Sequence, residues 1–198
     1  MNNTLMKSIQ QLFLLGCAAA VLTGCSSAPS RFYTLNATAQ GDGKSEAHYA
    51  VLVGPVSIPA EVDRPQFTVQ VAPNHVDVDE FNRWAAPLNE NIARVVAENL
   101  AMLLGTPRVA TAPLVNFSPD YRVTLGVQKF ESVPGKSAQI DVVWVVRKMT
   151  GDVSLSGRTV AVEPVNGDFD ALAAAHSRAL ARVSQDIAAA IRSDAGAK

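Results

Sequence analysis

The sequence predicts an α/β fold in which a mixed β-sheet of about five or more strands carries two long packed helices. Several segments are apolar or alternate apolar with polar residues, and two long segments repeat apolar residues at helical spacing. Predicted strands lie before and after the first helix, and the second helix closes the chain, an order typical of a sheet covered by helices. Hydrophobic residues make up 48% of the 198 residues and charged residues 18%, which excludes a largely disordered chain.

The strands are predicted from apolar runs and from alternation with a period of two. Their ranges are 31–36, 49–53, 67–71, 75–79, 108–112, 121–128, 139–148 and 154–163. The third and fourth runs flank a turn at Pro73-Asn74 and are expected to pair as a hairpin. Gly54-Pro55 is predicted to end the second strand, and Ser156-Gly157 to form a turn in the last. The strand over 139–148 is apolar on both faces, so we expect it to be central and covered on both sides.

Two helices are predicted from apolar stripes. The first begins at Pro87, since proline is tolerated in a first turn, and ends at Gly105. The second covers residues 169–191. Residues 193–198 are predicted to form a flexible tail. The sequence therefore predicts one α/β domain over residues 31–192.

The N-terminal segment is typical of a bacterial lipoprotein signal peptide. An apolar run from Leu12 to Leu22 follows Lys7 and, at about 1.5 Å per residue, is too short to span a bilayer. It ends in Leu22-Thr23-Gly24-Cys25, which resembles a lipobox. In such signals the cysteine sulfur forms a thioether to diacylglycerol, and the chain is cut before the cysteine, which also takes an N-acyl chain. We expect residues 1–24 to be removed and 25–30 to form an acylated tether.

Alternatives to this assignment are a second lipobox at Leu14-Leu15-Gly16-Cys17 and an ordinary secreted protein. The second lipobox would leave an apolar region of only residues 12–15, so Cys17 is interpreted as part of the signal. Ser26 follows Cys25. By the sorting rule of enteric bacteria, an Asp at this position would favour retention in the inner membrane, so the serine indicates the outer membrane. The sequence therefore predicts a lipid-anchored protein on the periplasmic face of the outer membrane.

Composition and motifs argue against catalysis, metal binding and nucleic-acid binding. The net charge of −1 lacks the basic surplus of a nucleic-acid partner. The acidic group Asp77, Asp79 and Glu80 lacks the Gly and Glu of a calcium loop, so a solvated strand face is expected. His176 lies on an apolar stripe and is interpreted as a core residue. We expect no enzyme, no catalytic residue and no cofactor beyond the lipid on Cys25.

Two polar segments carry the candidate partner contacts, which are Asp63, Arg64, Gln66, Arg83 and Trp84. A purely structural interpretation is available for both segments. In that interpretation Pro65 sets the entry to a strand, and Trp84 packs the start of a helix onto the sheet. Composition alone favours the structural interpretation.

The chain also resembles the PqiC family of auxiliary lipoproteins of ABC-type or Mce-type intermembrane transport systems. The resemblance is carried by Cys25 and a set of motifs in order: Ser30-Arg31-Phe32-Tyr33-Thr34-Leu35, Val53-Gly54-Pro55-Val56, Ile58-Pro59, Asp63-Arg64-Pro65-Gln66 and Arg83-Trp84-Ala85-x-Pro87-Leu88. Two departures stand out. Glu61-Val62 stands where the family is expected to have Tyr-Leu, and Ala86 stands where an acidic residue commonly precedes the family's Pro-Leu.

The resemblance implies a mixed α/β sandwich and a role in lipid transport. Such a lipoprotein would dock a tunnel-forming Mce-domain protein at the outer membrane, in a system with an inner-membrane permease, and a homo-oligomeric ring is one assembly it allows. An alternative from another class is a generic envelope-integrity lipoprotein that binds peptidoglycan or an outer-membrane assembly machine. A periplasmic hydrolase is the third hypothesis, and it requires a nucleophile beside a base.

Overall fold

A computed structural model describes residue 6 and residues 28–41, 48–111 and 115–196. Cys25 and, apart from residue 6, the predicted signal peptide lie outside the described residues. The elements in chain order are β1 (Arg31–Tyr33), β2 (Val51–Ser57), β3 (Gln66–Ala72), β4 (His75–Trp84), α1 (Leu88–Leu104), β5 (Val109–Ala110), β6 (Tyr121–Val133), β7 (Ser137–Lys148), β8 (Ser154–Pro164) and α2 (Phe169–Gly196). Within these ranges no helix combines the length and the hydropathy needed to cross a membrane.

The predicted α/β class is confirmed, but the strands form two mixed sheets instead of one. The larger sheet has the order β5-β2-β6-β7-β8, in which β5, β2 and β6 are parallel and β6, β7 and β8 are antiparallel. The smaller sheet has the order β1-β4-β3, with β1 parallel to β4. Strands β3 and β4 form the predicted antiparallel hairpin, with Asn74 in a left-handed conformation (φ 62°) at its turn.

Both helices pack on one face of the larger sheet. Helix α1 covers β2 and β5, α2 covers β7 and β8, and the helices also contact each other. The predicted inward face of β7 is confirmed, because Ile140, Val142, Trp144 and Val146 are all buried. Burying each large apolar side chain contributes about 1.5–3 kcal/mol to folding. Helix α1 ends as predicted, at Gly105 with φ 65° and its N–H bonded to the Ala101 carbonyl.

The prediction that β7 is covered on both faces is wrong. Its outward Val143 is 39% exposed, and the outward Asp141 is bound by Arg158 of β8, with Oδ2 to Nη2 at 2.5 Å. β7 is nevertheless an interior strand, as predicted, because it pairs with β6 on one side and with β8 on the other. Apolar residues on both faces suggested two covering layers, but both helices lie on the same side.

Two predicted breaks in strands are also wrong. Strand β2 continues through Gly54-Pro55 to Ser57, because its pairing with β6 shifts register between Val53 and Val56 and then resumes. Strand β8 runs without a turn past Ser156-Gly157. Gly157 lies directly opposite Trp144, and a Cβ there would stand 2.3 Å from the indole, so this glycine makes room for a ring.

The predicted flexible tail is helical as far as Gly196, where α2 ends. Side-chain contacts to the sheet account for this extension. The Asp194 carboxylate accepts hydrogen bonds from the Tyr121 hydroxyl at 2.6 Å and from the Lys148 ammonium at 2.5 Å. Arg192 donates to the Leu103 carbonyl of α1. These contacts hold the last turns of α2 against β6, β7 and α1.

Candidate functional site: a cleft beside the start of helix α1

The fold brings together the two polar segments that the sequence singles out. The backbone N–H of Trp84 donates a hydrogen bond to the Pro65 carbonyl at 2.7 Å. Gln66 lies opposite Arg83 in the β3–β4 register. Between them and the start of α1 lies a cleft of about 380 Å³. Its lining residues are Asp63, Arg64, Pro65, Trp84, Ala85, Ala86, Pro87 and Leu88.

The floor of the cleft is formed by a buried aromatic side chain. Trp84 is 5% exposed and stacks on Phe67, with ring centroids 4.1 Å apart and planes at 27°. Its ring also meets the edge of Phe130 at 6.0 Å. Leu88, the first residue of α1, is buried beside it. Trp84 therefore packs the start of α1 onto the strands, which is the structural role proposed for it, and only a small part of its surface is exposed.

The rim of the cleft is exposed and carries one charge of each sign. Asp63, Arg64, Ala86 and Pro87 are all exposed. A buried apolar floor with a polar rim is the arrangement found at many protein–protein interfaces. The cleft is therefore suited to binding an apolar side chain of a partner protein. Polar or charged residues of the partner beside that side chain would then contact Asp63 and Arg64.

Two of the five predicted contact residues do not line the cleft. The Arg83 guanidinium turns back along β4, where Nε donates to the Glu80 carbonyl at 2.9 Å and Nη2 lies 3.8 Å from the Glu80 carboxylate. Gln66 is half-buried next to it. Asp63, Arg64 and Trp84 are thus grouped in one site, and Gln66 and Arg83 lie just outside it.

The structure reveals a serine beside a histidine that the sequence did not indicate. Ser132 Oγ and His176 Nε2 share a hydrogen bond of 2.8 Å, and the imidazole stacks on Phe130 with centroids 3.8 Å apart. Ser132 is 2% exposed and His176 is 0% exposed, so no substrate reaches either group. Burial lowers the pKa of His176 to about 3, which keeps the imidazole neutral. The pair joins β6 to α2 inside the core, as the core interpretation of His176 expects.

In the acidic group on β4, Asp79 binds backbone N–H groups of its own strand. The Asp79 carboxylate accepts hydrogen bonds from the N–H groups of Phe81 at 2.9 Å and Asn82 at 2.7 Å. Across the described residues, no group of three or more His, Cys, Asp or Glu side chains is arranged to hold a metal ion. Asp79 thus stabilises the irregular part of β4 where its pairing with β3 shifts register.

The sequence reasoning missed two exposed aromatic side chains on the smaller sheet. Phe32 is 66% exposed and Phe81 is 43% exposed. A signal for Phe32 was present, because it precedes Tyr33 on a strand and neighbouring strand residues point to opposite faces. Tyr33 is buried, so Phe32 must face outward.

Comparison with known proteins shows both the family and the fold. The family model described as "ABC-type transport auxiliary lipoprotein component" matches residues 33–188. The chain is similar to a crystal structure of a Xanthomonas campestris protein of the DUF330 family, with 20% identity and a TM-score of 0.65 over 79% of this chain and 92% of that one. A second solved structure, of an uncharacterized protein, has 18% identity and a TM-score of 0.66 over 83% and 99%.

At these identities the two structures show a shared fold alone. The curated proteins include no match to the sequence. The family model spans the chain from the end of β1 into α2, and so takes in both segments that form the cleft. The chain therefore belongs to the PqiC-like family of ABC-type transport auxiliary lipoprotein components.

Proposed function

We propose that this protein is anchored by acylated Cys25 to the periplasmic face of the outer membrane and acts there as a non-catalytic subunit of an Mce/ABC-type intermembrane lipid transport system. The family match over residues 33–188 carries this proposal, since it assigns the chain to the auxiliary lipoproteins of ABC-type transport. The lipobox at Cys25 supports the proposed anchor, and Ser26, which follows it, supports the proposed location at the outer membrane.

We further propose that the cleft beside α1 is the docking surface for the Mce-domain tunnel protein. Two of the motifs that carry the family resemblance are 17 residues apart in sequence, counted from Gln66 to Arg83, yet they meet at this cleft. Trp84 fixes the floor, and Asp63 and Arg64 present opposite charges at the rim. Charged rim residues chiefly govern the rate and specificity of association, and the apolar floor supplies affinity.

A non-catalytic role accords with the chemistry of the described residues. The cleft lining offers one carboxylate and one guanidinium, and among these residues there is no hydroxyl, thiol or imidazole to act as a nucleophile or base. The hydrogen-bonded Ser132–His176 pair is sealed in the core. A hydrolase needs such a pair at a surface that substrate can reach.

Site-specific photocrosslinking in cells tests the docking surface. The photoreactive residue benzoylphenylalanine replaces Ala86, which is exposed at the rim and has little side chain to lose. The matched control carries the same residue at Val153, which is 41% exposed and lies after β7, away from the cleft. We expect position 86, and not position 153, to crosslink to an Mce-domain protein.

A charge reversal gives a second measurement on the same complex. Arg64→Glu should reduce recovery of the Mce-domain protein in a detergent pull-down, whereas Arg122→Glu, on an exposed position of β6, should leave it unchanged. A single exposed charge pair typically contributes about 1 kcal/mol or less to the binding free energy, so we expect the recovered amount of the Mce-domain protein to fall several-fold. Recovery of peptidoglycan or outer-membrane assembly proteins, with no transport component, would contradict the proposal.

A further inference from the structure

We propose that a polar groove along helix α2 binds an extended, acidic peptide segment of a partner protein. The groove has a volume of about 600 Å³. Its lining residues come from α2, from the segment that follows β1 and from the end of β8. None of them lines the cleft beside α1, so this inference goes beyond the proposed docking of the Mce-domain protein.

The groove has the length of a short extended peptide. The α2 residues that line it run from Ala174 to Gln185. At about 1.5 Å per helical residue, this row spans roughly 16 Å. An extended chain rises about 3.3 Å per residue, so the groove accommodates about five residues of a peptide. Ala174, Ser177 and Ala181 contribute only short side chains to the row, which lets a peptide backbone approach the helix closely.

One side of the groove offers partners for a peptide backbone. The segment after β1 is fixed to α2, because the Asn36 N–H donates to Ser177 Oγ at 3.1 Å and the Thr38 hydroxyl donates to the Ser177 carbonyl at 3.3 Å. The side chains of Asn36 and Gln185 are exposed in the groove. Each ends in a carboxamide, which has N–H donors and a carbonyl acceptor, as a peptide backbone does.

The other side of the groove carries the charge that selects an acidic peptide. Arg178 Nε donates to one carboxylate oxygen of Glu163 at 3.2 Å, and Arg182 Nη1 donates to the other at 3.3 Å. Among the described lining residues, Glu163 is the only acid, so two guanidinium groups share one carboxylate and the lining keeps a net charge of +1. A carboxylate of the peptide supplies the missing negative charge.

Both guanidinium groups have donors left for that carboxylate. An arginine has five N–H donors. The hydrogen bonds of Arg178 use Nε and Nη2, the latter to the Pro164 carbonyl at 3.1 Å, and that of Arg182 uses Nη1. Their side chains are 45% and 62% exposed, respectively. Because Glu163 already restrains both arginines, binding a second carboxylate costs little further side-chain entropy.

Fluorescence anisotropy of labelled peptides tests the proposal on the acylated mature protein in a neutral detergent, at low ionic strength where charge pairing is least screened. The probe is a pentapeptide of glutamate with an uncharged fluorophore, and the reference is the same peptide of glutamine. The test variant combines Arg178→Gln with Arg182→Gln. Its control combines Arg122→Gln with Arg147→Gln, which removes the same charge from two exposed arginines that lie opposite each other on β6 and β7, outside the groove.

A second pair of variants leaves the ion pairs of Glu163 intact. Ala174→Glu places a carboxylate in the groove, and the control Ala72→Glu places one at the end of β3. Both alanines are exposed, so neither substitution removes a buried contact. Loss of binding in Ala174→Glu therefore reports on the groove and not on folding.

We expect the parent to bind the glutamate peptide at least about tenfold more tightly than the glutamine peptide, the size of one charge-assisted hydrogen bond. Both groove variants should lose most of this preference, and both controls should bind like the parent. Equal binding of the two peptides by the parent would overturn the proposal. An equal loss in the groove variants and their controls would also overturn it, because the attraction would then come from charge anywhere on the surface.

Discussion

Stability should fall in mild acid because of one buried histidine. His176 is 0% exposed, shares a hydrogen bond with Ser132 and stacks on Phe130. Burial lowers its pKa in the folded protein to about 3. In the unfolded chain its pKa is about 6.5. Between these pH values the unfolded chain binds more protons than the folded one, so stability rises with pH across the window and is lost as pH falls below about 6.5.

The expected size follows from this difference in pKa. At pH 5 the unfolded chain gains about 2 kcal/mol from protonating His176, relative to pH 7.5, whereas the folded protein gains almost nothing. That amount is a large share of a typical stability of about 5–15 kcal/mol. For a domain of this size it lowers the melting temperature by about 4–8 °C.

Urea denaturation of the mature protein at pH 5 and pH 7.5 measures the effect, with the fluorescence of the buried Trp84 and Trp144 as the signal. The matched variant is His176→Gln, which keeps a hydrogen-bonding group near Ser132 but does not titrate. We expect it to be less stable than the parent at pH 7.5 and to lose about 2 kcal/mol less on acidification. His48 and His75 are present in both proteins and cancel. An identical loss in parent and variant would refute the assignment of the pH dependence to His176.

Other substitutions test the packing around the cleft and the sheet. Trp84→Ala should lower stability by about 3–5 kcal/mol, more than it weakens docking; an unchanged melting temperature with lost binding would assign Trp84 to the interface. Gly157→Ala should cost about 1–3 kcal/mol, because the added Cβ meets the Trp144 ring, and calorimetry checks this. Asp194→Ala should lower the free energy of unfolding by about 1.5–3 kcal/mol, because it removes the acceptor for the Lys148 ammonium. Amide hydrogen exchange at the end of α2 that is no faster in the variant would contradict the role of Asp194 in holding this end of the helix against the sheet.

Local patterns in the sequence predicted the elements well where one face is buried. The hairpin at Pro73-Asn74, the helix stop at Gly105 and the inward face of β7 each follow from spacing or turn chemistry, and each is confirmed. Two glycines led to wrong predictions of a strand end and of a turn. Gly54 and Gly157 both lie inside strands, where one accompanies a register shift and the other faces an aromatic ring. Neither circumstance is visible without the neighbouring strand.

The site could be predicted only in part, because its geometry depends on pairing between distant strands. The sequence singled out the segments around Arg64 and Trp84, but only the β3–β4 pairing places them at one cleft. The division into two sheets likewise depends on β1 pairing with the far end of β4. Ser132 and His176 are 44 residues apart, and nothing in either local sequence indicates their contact.

Mass spectrometry of the mature protein purified from the cell envelope tests the central claim most directly. We predict a chain that begins at Cys25 and carries a diacylglycerol on its sulfur and an acyl chain on its amine. A free thiol at position 25, or a mature chain that begins at another residue, would contradict the account of a lipid-anchored transport subunit.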